Sequence, residues 1–549
     1  MLSKKMRFMS GLLGGLFLLG TVAQSFAADP WYTAWKQSRK SLIDRMADRY
    51  NAKNVIVLVS DGCGYGAFEA GAYYENGALG HLCYEKFPVR LAMTTYMIGQ
   101  TYDPAEAWTY FRYVSNGYRL KPDLGDYADG SPRQTSSQDD FVPGWHSTLN
   151  VQDGYTRYTD SAAAGTTMST GVKTFRGSVG MDADRQPIQH LGERAGQLGK
   201  RWGVVSSVQF SHATPASFVA HYPYRSDYAI IAQDMLYNSD CHVIMGCGHP
   251  AYDNNNALRT SYKSKYAGGD AVVADLGMPA APAVGEITDE IDGLDAAGNP
   301  IPALDHGFDT TKVQANPWSV VDDRADFQAL VNDANPPSRV FGLAKCNSTL
   351  QQSRDGSHWD LEEGNPEKPL AVQQDTPEDY INFPRNANVP TLAEMSQAAL
   401  NVLENGGENN GIFLMIEGGA VDWANHANSM ARMLEEQKEF NEAVQAVCDW
   451  VDANSNWNET LVIVTTDHDC GYILGEGSQI EDDGSATFTD VSSKGPGSVP
   501  GFTYNSADHT NMLVPVYAKG AGSFLYRLYA YNVDPKYGRY IDNTDLANV

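Results

Sequence analysis

The residues best suited to chemistry in this chain are carboxylates and imidazoles set in short-range pairs. Asp422 and His426 stand four apart in Glu417-Gly418-Gly419-Ala420-Val421-Asp422-Trp423-Ala424-Asn425-His426. That spacing puts both on one face of a helical turn, where they can share a metal ion. Glu417 lies one turn back. Asp467-His468 is a second pair, and His509 precedes the apolar run Met512-Leu513-Val514-Pro515-Val516-Tyr517. Asp61, in Ser60-Asp61-Gly62-Cys63-Gly64, can ligate a metal or simply form the turn. A lone histidine is more often structural than a ligand. Four carboxylates and three histidines, nearly all directly after apolar runs, point instead to a site for Zn2+ and Mg2+, which take oxygen and imidazole ligands.

A nucleophile candidate stands apart from these. Ser161 opens the small-residue run Ser161-Ala162-Ala163-Ala164-Gly165-Thr166-Thr167, where a helix N-cap would sit, and a cap is one reading of it. The other reading uses the same geometry. Free N–H groups and the positive end of the helix dipole favour an alkoxide and bind phosphate. Small residues behind the serine let the helix pack closely. No G-x-S-x-G elbow surrounds it, so a Ser-His-Asp hydrolase is unsupported.

These residues need a scaffold. Four continuous apolar runs, 54–59, 203–208, 411–416 and 461–465, read as strands covered on both faces. Between the last two, Phe440, Val444, Val447 and Val451 recur at helical spacing. Strands alternating with helices predict an α/β fold, with a doubly wound, mostly parallel sheet and helices on both faces. In such sheets the chemistry gathers beyond the strands' carboxyl ends. Residues 97–157, 250–385 and 476–505 read as surface insertions on a single catalytic domain spanning 28–549.

Residues 1–27 have the form of a signal peptide. Lys4, Lys5 and Arg7 precede an apolar run too short to span a bilayer, and cleavage is expected after Ala27. The protein is therefore expected to be exported, to periplasm or medium, with no membrane span after cleavage. Forty Lys and Arg against 67 Asp and Glu give a net charge of −27, which argues against a nucleic-acid partner. Seven cysteines in an exported chain permit disulfides, and Cys241 and Cys247 are close enough in sequence to close a small loop.

Taken in order, strand-end Asp61, Thr159-Asp160-Ser161-Ala162-Ala163, Ala213-Thr214-Pro215-Ala216, Glu417…Asp422…His426, Asp467-His468 and His509-Thr510 resemble the motifs of the alkaline phosphatases. The resemblance covers most of 51–249 and 388–549. It implies Ser161 as nucleophile and two Zn2+ and one Mg2+ per subunit. Asp422, His426 and His509 resemble the ligands of the first zinc. Asp61, Asp467 and His468 resemble those of the second, and Asp61, Thr214 and Glu417 those of the magnesium. Arg225 takes the place of the arginine that clamps phosphate, with Asp160 orienting it. His212 and Trp423 stand where the best-known enterobacterial enzyme has Asp and Lys, and are similar to marine and cold-adapted bacterial members. Missing that lysine implies a weaker hold on product phosphate.

The implied reaction is hydrolysis of small phosphate monoesters through a phosphoserine, faster at alkaline pH, in a homodimer. With three divalent cations the site is net positive on a strongly acidic protein; without them it is net negative. A phosphodiesterase of the same superfamily is the alternative, disfavoured by Ser161 together with Arg225. A sulfatase is disfavoured by the missing Cys-x-Pro-x-Arg segment. A non-catalytic exported metal- or phosphate-binding protein is the alternative of another class.

Overall fold

The computed structural model describes residues 51–98, 102, 104–107, 141–142, 145–146, 149–150, 155–156, 158–260, 262–278, 317–354, 384–405, 410–480 and 486–549. The expected signal peptide, 1–27, lies outside them, as does most of the 97–157 stretch. Ala52–Val549 forms one compact unit.

Eleven strands build the central sheet. They are β1 (Asn54–Ser60), β2 (Val89–Thr94), β3 (Arg201–Gln209), β4 (Val243–Cys247), β5 (Ser319–Val321), β6 (Val340–Leu343), β7 (Ile412–Gly418), β8 (Thr460–Thr465), β9 (Val514–Gly520), β10 (Asn532–Asp534) and β11 (Gly538–Asp542). Their order is β10-β11-β2-β9-β8-β1-β7-β3-β4-β6-β5. From β8 to β5 every pairing is parallel. The strand expected around Val514 is β9, which runs antiparallel between β8 and β2.

The four apolar runs become β1, β3, β7 and β8, adjacent in the middle of the sheet. Their alternate residues enter two separate cores. Ile56 and Leu58 of β1 join Leu414, Ile416, Val462 and Val464 on one face; Val57 and Val59 join Phe413, Met415, Leu461 and Ile463 on the other. Burial on both sides is why these strands read as continuous rather than alternating.

Helices α1 (Tyr65–Asn76), α2 (Ser161–Thr170), α3 (Ala213–Ala216), α4 (Arg324–Val331), α5 (Leu392–Glu404), α6 (Ala420–His426) and α7 (Met430–Asn454) carry the rest of the argument. Ala67 and Phe68 of α1, Leu392 and Met395 of α5, and Phe440, Val444, Val447 and Val451 of α7 cover the first face. Ala162 and Met168 of α2 and Ala213 and Ala216 of α3 cover the second.

Two expectations need correction. Residues 250–385 are not wholly an excursion, because β5, α4 and β6 fall inside them and β5 and β6 complete the sheet edge. Strands of three and four residues give too short an apolar run to stand out, although Val340, Phe341 and Leu343 are fully buried. Residues 279–316 and 355–383 of that stretch lie outside the described residues. Nor do Cys241 and Cys247 meet. Strand β4 separates them, and at ~3.3 Å per residue an extended segment holds its ends far apart.

Candidate metal and phosphate site

Parallel register brings the strand ends level. Val59 of β1 lies opposite Glu417 of β7 on one side and Thr465 of β8 on the other, and Glu417 lies opposite Ser206 of β3. Asp61 and Asp467 each come two residues beyond that row, and α6 follows β7 immediately. His509 arrives from outside the sheet on a short antiparallel pairing with Cys470. Four adjacent carboxyl ends and one short antiparallel pairing thus converge.

Asp61, Glu417, Asp467 and His468 are fully buried, and Asp422 and His509 are 5% exposed. Among the described residues, both oxygens of Asp61, Oε1 of Glu417 and Oδ2 of Asp467 have no hydrogen-bond partner. Burying a charge without a partner is strongly unfavourable unless a cation compensates it. Burial, with the charges of Asp467, Asp422 and Glu417 added, pushes the Asp61 carboxyl well above its usual range. Burial pushes Glu417 up to about 7 against a hydrogen bond from the Ser206 hydroxyl, and Asp467 up to about 6. These groups are poised to trade protons for metal.

The imidazoles carry the same sign. His426 Nδ1 lies 2.7 Å from the Ala507 carbonyl and His509 Nδ1 2.9 Å from the Thr159 carbonyl. A carbonyl only accepts, so each Nδ1 holds its proton and turns Nε2 inward. The two Nε2 atoms stand 3.0 Å apart, with Asp422 oxygens 3.4 Å from His426 and 3.3 Å from His509. Facing lone pairs at that distance need positive charge, as a proton or as a metal ion. Burial opposes protonation of His509, yet Asp422 raises its pKa overall. Asp422, His426 and His509 come together with Cys470 as one set of donors, and Asp61, Asp422 and His468 as another.

Ser161 Oγ lies 3.2 Å from His468 Nε2. That nitrogen also faces Asp467 Oδ2 at 3.2 Å and Asp61 Oδ1 at 3.5 Å, while His468 Nδ1 is unpartnered among the described residues. In a Ser-His-Asp relay the acid binds the other ring nitrogen. Here all three oxygens turn toward one nitrogen, which suits a shared cation rather than a relay. The donor set therefore fits zinc and magnesium chemistry.

Ser161 is not the cap of α2. Asp160 is, accepting from Ala163 N at 3.1 Å. The carboxylate is the better acceptor, and this leaves the serine hydroxyl, in the first helical position, free to face His468. Asp160 also accepts from Gly177 N and receives Arg225 Nη1 at 2.9 Å. Burial alone would raise its carboxyl, but Arg225 and Arg176 hold it well below the carboxylate range. Arg225 Nη2 lies 3.4 Å from His212 Nε2. Burial, then the nearby guanidinium, drops His212 to about 3, so it stays neutral. The Trp423 ring stands edge-on to His212 at 5.7 Å.

Thr214, at the start of α3, is fully buried beside Glu417. Every candidate from the sequence thus lies in one neighbourhood. Several contributors had no local signal: Ser206, the carbonyls of Thr159 and Ala507, Cys470, and Gln437 of α7. Gln437 Oε1 accepts from Ser60 at 2.7 Å and from Cys63 at 3.1 Å, clamping the turn around Asp61. Only Gly62 could have been suspected, as a glycine directly after a candidate ligand.

Fold and site define an α/β scaffold, a large and mostly parallel sheet between helices, with a cluster of buried carboxylates and imidazoles facing a serine and an anchored arginine. A family profile for alkaline phosphatases matches residues 124–494. The chain belongs to the alkaline phosphatase family and is a phosphatase, of a family that depends on metal. It is 26% identical over 441 residues to alkaline phosphatase H of Pseudomonas aeruginosa (strain UCBPP-PA14), covering 79% of this chain and 72% of the relative. It is 26% identical over 429 residues to the alkaline phosphatase of Escherichia coli (strain K12), covering 78% and 72%. Its fold is similar to that of a cold-active alkaline phosphatase from a psychrophilic Shewanella species (TM-score 0.52, 18% identity, covering 90% and 98%). No helix among the described residues is long and apolar enough to cross a membrane.

Proposed function

We propose that this chain is a phosphate monoesterase working through a covalent phosphoserine on Ser161, with two zinc ions and one magnesium ion. Asp422, His426 and His509 would hold the first zinc, Asp61, Asp467 and His468 the second, and Asp61, Thr214 and Glu417 the magnesium. Export through residues 1–27 and assembly into a homodimer belong to the same proposal. The observation that carries it is the convergence of unpartnered, buried acceptor groups on the face of Ser161, with Arg225 anchored alongside.

Bound divalent cations supply Lewis acidity, lowering the proton affinity of the serine hydroxyl and neutralising charge on the departing oxygen. Ser161 Oγ attacks phosphorus in line, forming the Ser–O–P bond as the ester oxygen leaves; water then cleaves that bond and frees phosphate. Arg225 grips the equatorial oxygens, where charge accumulates. Asp160 fixes the guanidinium before substrate arrives, so little orientational freedom is lost on binding. Neutral His212 adds no competing charge beside it.

Metal analysis of purified protein, paired with turnover of p-nitrophenyl phosphate before and after chelation, tests the reading. Near three divalent ions per chain, loss of turnover on chelation, and much slower turnover of the bis ester are expected. Bound metal with no turnover would refute it, and faster bis-ester cleavage would make the protein a diesterase.

A further inference from the structure

Four of the seven cysteines stand sulfur to sulfur. Cys83 Sγ lies 3.2 Å from Cys448 Sγ, and Cys346 Sγ lies 3.0 Å from Cys247 Sγ. Both distances are inside the ~3.5 Å at which non-bonded carbons rest, and about 1 Å of approach reaches the ~2.0 Å of an S–S bond. The other three thiols face oxygen instead: Cys63 faces Gln437, Cys241 the carbonyl of Val243, and Cys470 the carbonyl of Asp422. We propose that the chain closes two disulfides, Cys83–Cys448 and Cys247–Cys346, and keeps Cys63, Cys241 and Cys470 as thiols. This rests on none of the catalytic assignments.

The backbone is prepared for the second bridge. Cys247 ends β4 and Cys346 follows β6, its parallel neighbour. Gly248 N and His249 N both donate to the Cys346 carbonyl, at 3.2 and 3.0 Å, which pins the two connections together. Cys247 Sγ is also 3.3 Å from the Ser207 carbonyl. The first bridge joins the connection between α1 and β2 to helix α7, across 365 residues of chain; the second closes 99 residues. Loops of those lengths restrict the unfolded chain strongly when closed.

The two pairs differ in access. Cys83 is half-buried, and the hydrogen bond from Cys448 lowers its thiol pKa despite burial. Its thiolate attacks one sulfur of a small-molecule disulfide such as oxidised glutathione and expels one glutathione thiolate. Cys448 then attacks Cys83 Sγ in the mixed disulfide and releases the second. Two protein thiols and one glutathione disulfide give one protein disulfide and two glutathione thiols. Cys247 and Cys346 are both fully buried, out of reach of such a reagent in the folded state, so their bridge closes during folding.

The test uses the full metal-loaded chain. Refolded in a glutathione redox buffer, then unfolded in denaturant with excess alkylating reagent and digested without reductant, it is expected to yield cross-linked Cys83–Cys448 and Cys247–Cys346 peptides, with Cys63, Cys241 and Cys470 alkylated. Seven alkylated cysteines, or any other pairing, overturns the proposal. Protein folded reduced and then exposed to oxidised glutathione should close only Cys83–Cys448; closure of Cys247–Cys346 without unfolding would overturn the access argument. Cys83→Ser should lose one cross-link and lower the thermal midpoint, with turnover of p-nitrophenyl phosphate unchanged. A lost turnover would make the pair part of the active site instead.

Discussion

Asp160 sits at the junction of three demands: it caps α2, binds Gly177 and anchors Arg225. Because it takes the capping role, Ser161 is available for chemistry, and the two roles cannot be exchanged without moving the arginine. Ser161→Ala removes the oxygen proposed to attack phosphorus but none of the protein groups proposed to hold metal. Turnover should fall by at least about 10³-fold, a conservative bound against the roughly 10⁶-fold loss on deleting a serine nucleophile elsewhere, with metal content near normal. Substantial residual turnover with a trapped phosphoenzyme would refute the serine's role. Beside the guanidinium, His212 is neutral and Trp423 carries no charge, so in the proposed reaction Arg225 would hold phosphate without a second protein cation from either. Trp423→Lys should tighten inhibition by inorganic phosphate several-fold; an unchanged inhibition constant would refute this.

Turns, more than helices and strands, set the site's tolerances. Gly62 has φ +64°, and a Cβ there would lie 2.6 Å from Asp422 Oδ1 and 2.8 Å from Asp422 Cα. The turn after β1 therefore needs glycine for backbone conformation and for room. Gly62 N holds Asp467 Oδ1 at 3.1 Å, and its carbonyl accepts from Asn425 at 3.0 Å. One residue thus ties β1, α6 and the β8 end together. Gly62→Ala should destabilise the protein by roughly 1–3 kcal/mol and weaken metal retention, read by denaturant titration and by metal content after dialysis. A variant with wild-type metal content would show that the turn adapts.

At the scale of the molecule, the site is an acidic cluster inside an acidic protein, where protons would compete with the proposed metal ions. Glu417 at about 7 and Asp467 at about 6 hold protons longer folded than unfolded. Raising pH from the ordinary carboxylate range (~4) through those values therefore removes stability from the metal-free protein at these two groups. His509, also raised, acts in the same direction above its unfolded value. Asp160, depressed, acts oppositely, losing its contribution only as pH falls below about 4. Metal binding displaces the protons from the raised groups. The rise in thermal midpoint on adding Zn2+ should accordingly grow as pH goes from about 4 to about 8; a constant rise would show that these groups stay unprotonated in the metal-free protein.

The strongest chain-local signals proved reliable: the runs that became β1, β3, β7 and β8, and the apolar face of α7. Continuous burial leaves a mark on every residue of a strand, and helical spacing repeats it at each turn. Asp422 and His426 were legible for the same reason, since one turn of α6 places them on a common face. The short edge strands β5 and β6 left too little pattern to register. Cysteine pairing failed on spacing, because Cys247 meets a residue 99 positions away while the extended β4 holds Cys241 off. Which proton His509 keeps is set by the Thr159 carbonyl, and which atoms grip the Asp61 turn by Gln437 on α7. Sequence by itself determined the residue types and the local periodicities, because those depend on neighbours along the chain. Only the tertiary structure decided register, ring tautomers and thiol partners, because each depends on atoms brought close from tens to hundreds of residues away.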